Sequence, residues 1–533
     1  MNPRSRWPRK PVVYEINTRI WLADLQDRLG REVTLADVPD QAITRWKNMG
    51  IHAVWLMGVW KTSPYSAELC RASQGLRHEA TEILGEFRDR DIDASPYAVA
   101  GYEIDPVLGG QEAMGALHGR MKELGVLLVL DFVPNHLAVD HPWTAAKPEL
   151  FVAGTQEILA HDPVAFFSVP DGSAILAHGR DPHFPPWSDT AQLDYFKEQT
   201  HEAMTDELLR VAAHCDGVRC DMAMLLLPDV FKSVWGWTTP ERTPPCFWDK
   251  AIATVRKRNP GFLFMAEVYW GLEGVLQGKG FDYTYDKTLY DHLVSRRTNE
   301  IHAHLSTRIG FHEHAMRFIE NHDEPRAAAV FGKAQSKMAA AMILTLPGAT
   351  LLHQGQEYGW QKRLPVQLRR RPIEPTDHDL EAVYTTLIRI AGDQVIQDGK
   401  WEMLVVEADR RQDVLAYQWV SPYHEGSLLV VLNLTSAWQT GCARATCLGS
   451  HMTRVNAHDI MTGKDEIRPA LVATRVEVPF RLPPWGFKIV RLGVPGHQAD
   501  DTEGRRVVTG NPRNRRKRGP GKTQPHQDKG HQI

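Results

Sequence analysis

The chain has 533 residues, 43% of them hydrophobic and 24% charged, with a formal net charge of −3. That length exceeds one ordinary core, so two or three domains are expected, although a barrel enzyme can use more than half of it as one unit. The near-neutral balance argues against a nucleic-acid-binding body, and no run reaches about 18 uninterrupted apolar residues, which argues against a membrane span.

Six cysteines, Cys70, Cys215, Cys220, Cys246, Cys442 and Cys447, are scattered without a CxxC pair. Neither a metal cluster nor a disulfide framework is expected, and reduced thiols are the default. Basic residues open the chain at Arg4, Arg6, Arg9 and Lys10 with no apolar run behind them to make a signal peptide, so the expected placement is cytoplasmic. Sixteen tryptophans and thirteen tyrosines suit a sugar ligand, and they suit an ordinary large core equally well.

From the N-terminus, strand-like and helix-like runs alternate for almost four hundred residues. Eight strand candidates are Val12–Ile16, Ala53–Met57, Leu127–Phe132, Gly217–Asp221, Phe262–Glu267, Phe281–Tyr285, Ala315–Ile319 and Thr350–His353. Most are short, apolar and rich in branched or aromatic residues, as parallel strands covered on both faces should be. Helical patterns fall between them at Gln111–Leu124, Glu202–Ala213, Lys337–Leu346 and Leu380–Ile390. The first places Met114, Leu117, Met121 and Leu124 on one face. Eight such units describe a closed (β/α)8 TIM barrel, and no G-x-G-x-x-G follows a strand to favour an open doubly wound sheet.

Two long connections interrupt the alternation, one at about Lys61–Ala94 and one after the third strand. The second is rich in Pro, His and Gly and, lying in a βα-loop, is expected to wall the active site. Past Ala391 the runs Val414–Val420, Leu428–Asn433 and Phe487–Leu492 read as a small antiparallel β-domain. The expected organisation is a catalytic barrel over 1–390 with 137–190 as an inserted loop domain, a C-terminal β-sandwich-like domain over 391–495, and a basic disordered tail over 496–533. The tail carries nine Lys/Arg against four Asp/Glu. Its Arg513–Arg518 cluster could touch RNA or an acidic surface, but a solvated tail is the plainer reading.

Chemistry is concentrated at the C-terminal ends of the strands, where a barrel gathers its functional groups. Asp221 ends the fourth, Glu267 ends the fifth, and Asp323 follows the seventh in Glu320-Asn321-His322-Asp323; Asp131 and His136 stand at the end of the third. Carboxylates converging on one mouth repel, which raises at least one pKa, and a protonated acid beside an ionised one is what glycosidic cleavage needs. Three acids also suit a hard cation. Arg219, two places before Asp221, points the same way from a strand and reads either as a structural ion pair or as a cation that orients the acid. Glu267 follows the apolar run Phe262-Leu263-Phe264-Met265-Ala266 with no cation nearby in sequence, so desolvation should raise its pKa.

Four motifs in order, Asp131-Phe132-Val133-Pro134-Asn135-His136, Gly217-Val218-Arg219-Cys220-Asp221, Glu267-Val268-Tyr269-Trp270 and Asn321-His322-Asp323, resemble those of the α-amylase superfamily of retaining α-glycosidases and transglycosidases. The resemblance covers about Pro11 to Ile390. It implies Asp221 as nucleophile, Glu267 as general acid and then base, and Asp323 as a third acid that binds sugar hydroxyls. It further implies Arg219 as the group that orients Asp221, His136 and His322 as hydrogen-bond donors to the same sugar, Asp131 as a support for Arg219, and Tyr97 as a stacking platform. Gln192-Leu193-Asp194 and Gly355-Gln356-Glu357 resemble weaker motifs of the family.

The implied substrate is an oligosaccharide or small α-glucoside; transferase, isomerase or phosphorylase activity of the same superfamily is the alternative, and a glycan-binding protein on an inactive barrel a distant third. Many relatives carry a Lys-His pair where this chain has Met224 and Leu225. That speaks against calcium although Asn135 is kept, so no cofactor and no metal are expected. Met222 through Leu227 are expected to form an apolar wall of the site.

Overall fold

The computed structural model describes residues 7–170, 172–421, 426–446, 454–471 and 475–493. The expected basic tail at 496–533 lies outside the described residues.

Eight short strands close into a parallel barrel in chain order: β1 (Val12–Asn17), β2 (Ala53–Met57), β3 (Leu127–Phe132), β4 (Gly217–Cys220), β5 (Leu263–Ala266), β6 (Tyr283–Tyr285), β7 (Ala315–Arg317) and β8 (Ala349–His353), with β8 paired back onto β1. All eight expected strands are present. Their sequences are mostly apolar because both faces are covered: every residue of β2 and β5 is buried. Several end earlier than expected. Asp221 and Glu267 lie one residue beyond β4 and β5, and Phe318 and Ile319 lie beyond β7, where the chain leaves the ladder and splays into the mouth. The helix at Gly110–Leu124 buries Met114, Leu117 and Met121 and stops at Gly125, whose φ of 74° is the left-handed cap that favours glycine.

The connection after β2 starts as a strand, Trp60–Thr62, paired with Val99–Ile104, and encloses two helices, Pro64–Ala72 and Gln74–Leu84. Its small core of Ala80 and Ile92 includes Leu368 from the loop after β8. Arg370 grips Asp91 with two bonds of 2.9 Å, and Asp93 N donates to Gln367 O at 2.8 Å. The two loops therefore form one flank of the mouth. The connection after β3 opens with His136–Ala138 paired to Thr190–Gln192 and holds a hairpin of Phe166–Ser168 and Ile175–Ala177.

Beyond the barrel, nine antiparallel strands form one sheet that curls on itself. Val414 and Ala416 share an apolar cluster with Val478 and Phe480 from the other end of the strand order. The alternate residues, Leu415, Tyr417 and Trp419, face the barrel instead. There Trp419 Nε1 donates to Thr345 O at 2.7 Å, and the Tyr417 hydroxyl lies 2.6 Å from Thr345 Oγ1. Among the described residues, no helix is long and apolar enough to cross a membrane.

Candidate active site

β4 is the pivot of the site. Arg219 is 1% exposed and stands opposite Asp131 of β3 and Met265 of β5 in the strand register. Its Nη1 donates to Asp221 Oδ1 at 2.8 Å and reaches Asp131 Oδ1 at 3.4 Å, while Nη2 donates to Glu267 Oε2 at 2.7 Å. One guanidinium thus holds three buried acids, with Trp55 and Tyr97 packed on its faces, their ring centroids 5.1 and 5.3 Å from Cζ. The sequence reading left Glu267 without a cation; the strand register supplies one.

The chain turns sharply after Asp221. Met222 has φ 42° and ψ 44°, a left-handed conformation uncommon for a residue with a side chain. This turn aims its N–H at Glu267 Oε2, 2.8 Å away. Tyr269 completes the cradle by donating to Glu267 Oε1 at 2.6 Å. The expected apolar wall is corrected here: Met222 alone of that run lines the cavity, whereas Ala223 through Leu227 are buried, Ala223 O accepting from Trp248 Nε1 at 2.9 Å.

On the opposite side, His322 places Nε2 2.8 Å from the Tyr97 hydroxyl and 3.1 Å from Asp323 Oδ2, with the Tyr97 ring stacked on it at 5.5 Å. Asp323 is the open member of the set, its side chain 48% exposed. His136 is buried beside Trp187 at 5.0 Å between ring centroids, with Asn135 Nδ2 3.4 Å from its Nδ1.

Asp221, Glu267, Asp323, Tyr97, His136 and His322 all line one cavity of about 1010 Å³; Arg219 and Asp131 lie beneath it. The connection after β3 contributes Asp181, Phe184 and Trp187 to the wall, as expected of a loop at this end of a barrel. Phe184 and Trp270 stand at the rim, 65% and 41% exposed. Sequence reasoning missed both aromatics, Tyr269, and Glu15 of β1, which accepts from His322 Nδ1 at 2.5 Å.

Charge is divided unevenly among the acids. Burial pushes the Glu267 carboxyl up to about 7, with Asp221 and Asp323 adding to the rise and Arg219 and Tyr269 opposing it. Burial also raises Asp221, against the pull of Arg219, and takes Asp131 to about 6. Asp323 goes the other way: burial at its base is outweighed by His322 and then Arg219, which hold it at about 2. Burial drives His136 down to about 4, so it is neutral near pH 7. The site therefore pairs an acid that keeps its proton near neutrality with one that has lost it.

The residues do not fit a calcium site. The Gln192 amide nitrogen donates to Asn135 O at 2.9 Å, Asn135 Oδ1 at 3.1 Å and Leu193 O at 3.0 Å, so an N–H group occupies the oxygen cradle that a hard cation would need. Among the described residues no group of three or more His, Cys, Asp or Glu is set to hold a metal ion.

A closed parallel barrel with carboxylates of unequal pKa around one cavity at its C-terminal mouth defines a barrel enzyme of acid–base chemistry. The chain matches the model of the alpha-amylase catalytic domain over residues 41–277 and 279–413 and belongs to that family. It is 22% identical over 402 residues to Alpha-amylase 3 of Dictyoglomus thermophilum, covering 71% of this chain and 70% of that relative. With Maltase 1 of Drosophila virilis it shares 24% identity over 408 residues, 67% of this chain and 60% of the maltase. Among solved structures, the maltogenic alpha-amylase AmyB from Thermotoga neapolitana superposes with a TM-score of 0.64 at 20% identity, covering 91% of this chain and 99% of that one.

Proposed function

We propose that the chain cleaves α-glucosidic bonds of oligosaccharides with retention of configuration, Asp221 acting as nucleophile and Glu267 as acid and then base. The observation that carries this reading is the shared grip of Arg219 on both carboxyls. Two oxygens bonded to adjacent nitrogens of one guanidinium sit close together. This favours the carboxyl spacing of about 5 Å used by retaining enzymes over the roughly 6.5–9.5 Å that leaves room for a water.

In the first half-reaction Glu267 gives its proton to the glycosidic oxygen as the bond from C1 to that oxygen breaks, and an ionised Asp221 oxygen bonds to C1. In the second, the Glu267 carboxylate takes a proton from water as the water oxygen bonds to C1 and the Asp221 ester breaks. Asp323, ionised and open to the cavity, accepts from sugar hydroxyls, and Tyr97 and Trp187 supply flat faces for the ring. Transfer, isomerisation and phosphorolysis share the first half and differ in what attacks the intermediate.

The names of the relatives, an amylase and a maltase, accord with hydrolysis of α-glucosides. The test is turnover and product anomer on maltooligosaccharides, sucrose and trehalose, with and without phosphate. Asp221→Ala and Glu267→Gln should each remove about 10²–10⁴ of the rate or more. Near wild-type turnover by either folded variant, or an inverted first product, overturns the reading.

A further inference from the structure

β1 sets a buried acid behind the site that the chemistry above does not use. Glu15 is fully buried, its Oε1 accepts from His322 Nδ1, and its Oε2 has no hydrogen-bond partner among the described residues. It also precedes the residues matched to the family model, which begin at 41. A buried carboxylate with one oxygen unsatisfied is costly to keep. A neutral acceptor would fix the ring equally well, so what this position adds is charge.

The far side of the ring is arranged to match. His322 Nε2 faces the Tyr97 hydroxyl and Asp323 Oδ2, so both ring nitrogens look at oxygen and both are satisfied as donors when the ring carries two protons. The remaining charged or titratable neighbours are Asp131 on β3, His353 on β8, and Arg219 on β4 and Arg363 in the loop after β8, both acting through Asp323. Trp55 closes the edge of the ring at 5.6 Å.

We propose that Glu15 is a positioning residue that keeps His322 as an imidazolium, so that Nε2 presents a proton toward the Asp323 side of the cavity across the working pH range; the proposal rests on the glycosidic reading of that cavity. Asp323 and Glu15 act together against burial to hold the imidazole well above its ordinary range. Without the Glu15 charge, Nε2 loses its proton as pH rises and turns from donor into acceptor.

Two measurements on the full chain test this. In ring-¹⁵N-histidine protein, the His322 signals are assigned by their absence in His322→Asn. Both ring nitrogens should remain protonated to about pH 8.5, two units above an unperturbed imidazole. A neutral ring at that pH overturns the proposal whether or not Glu15→Gln folds. In Glu15→Gln, kcat/KM is followed against pH on a dinitrophenyl α-glucoside, whose leaving group departs without a proton from Glu267 and so removes that acid from the alkaline limb. The variant should lie within about threefold of wild type near pH 5.5 and fall about tenfold or more below it near pH 8.5, while Glu15→Asp restores much of the loss. A merely structural role scales the whole profile evenly, and a parallel profile refutes the assignment. If no α-glucoside is turned over and His322 is still doubly protonated, the glycosidic reading fails while the ion pair stands.

Discussion

Tyr269 is the lever on the Glu267 carboxyl. Its hydroxyl donates to Glu267 Oε1 at 2.6 Å, favouring the ionised form and holding the acid lower than burial alone would place it. Hydrogen bonds to charged groups contribute about 1.5–3 kcal/mol, and one pKa unit corresponds to about 1.36 kcal/mol. Tyr269→Phe should therefore lift Glu267 by about one to two units from its value of about 7. In the proposed mechanism Glu267 is protonated to release the leaving group, so the alkaline limb of kcat/KM should move upward, to about pH 8–9. The same mechanism assigns the acid limb to ionisation of Asp221, which should stay in place, although in so close a pair the two limbs are properties of the pair. The assay is kcat/KM on a maltooligosaccharide from about pH 4 to 10, each profile normalised to its own maximum because the phenol also lines the cavity. An alkaline limb that stays put or moves down refutes the account of Glu267.

Phe184→Ala removes a rim aromatic that is 65% exposed; folding stability should change by no more than about 0.5 kcal/mol, while KM for longer oligosaccharides rises about two- to tenfold in steady-state kinetics. Prolonged treatment with EDTA should leave both Tm and activity unchanged, because the Gln192 amide fills the oxygen cradle beside Asn135. Gly355 has φ 91°, and a Cβ there would sit 1.8 Å from the Trp360 ring. Gly355→Ala should cost about 2–4 kcal/mol in urea unfolding, combining left-handed strain with overpacking.

How much of this could be read from the chain depends on whether the signal was local. The strands of the barrel were legible because burial on both faces leaves uninterrupted apolar runs such as Ala53–Met57. Asp221 and Glu267 were legible because each ends such a run, and Asp323 through its motif Asn321-His322-Asp323. Contacts between strands were not. That Arg219 reaches Glu267 depends on Arg219 standing opposite Met265, a register set by barrel closure rather than by spacing along either segment. Glu15 was invisible for a related reason: one acid inside Val12-Val13-Tyr14-Glu15-Ile16 looks like an ordinary polar break in a strand, and its partner lies 307 positions away. The wall expected from Met222–Leu227 failed because an apolar run after a site residue serves the core as readily as the cavity, and the turn at Met222 sends it inward.

The pairing of β1 with β8 has a consequence for how the molecule is made. Val12 must find Thr350 and Glu15 must find His353, so the first strand of the ring to be made waits for the last. Until then the growing chain is an open sheet with unpaired edges, an aggregation-prone state that a chaperone would recognise. His322 gains its partner on β1 only as the ring shuts. Nascent chains halted before the eighth strand emerges should therefore hold most of the fold and none of the finished site, which makes the appearance of activity during synthesis a clock for barrel closure.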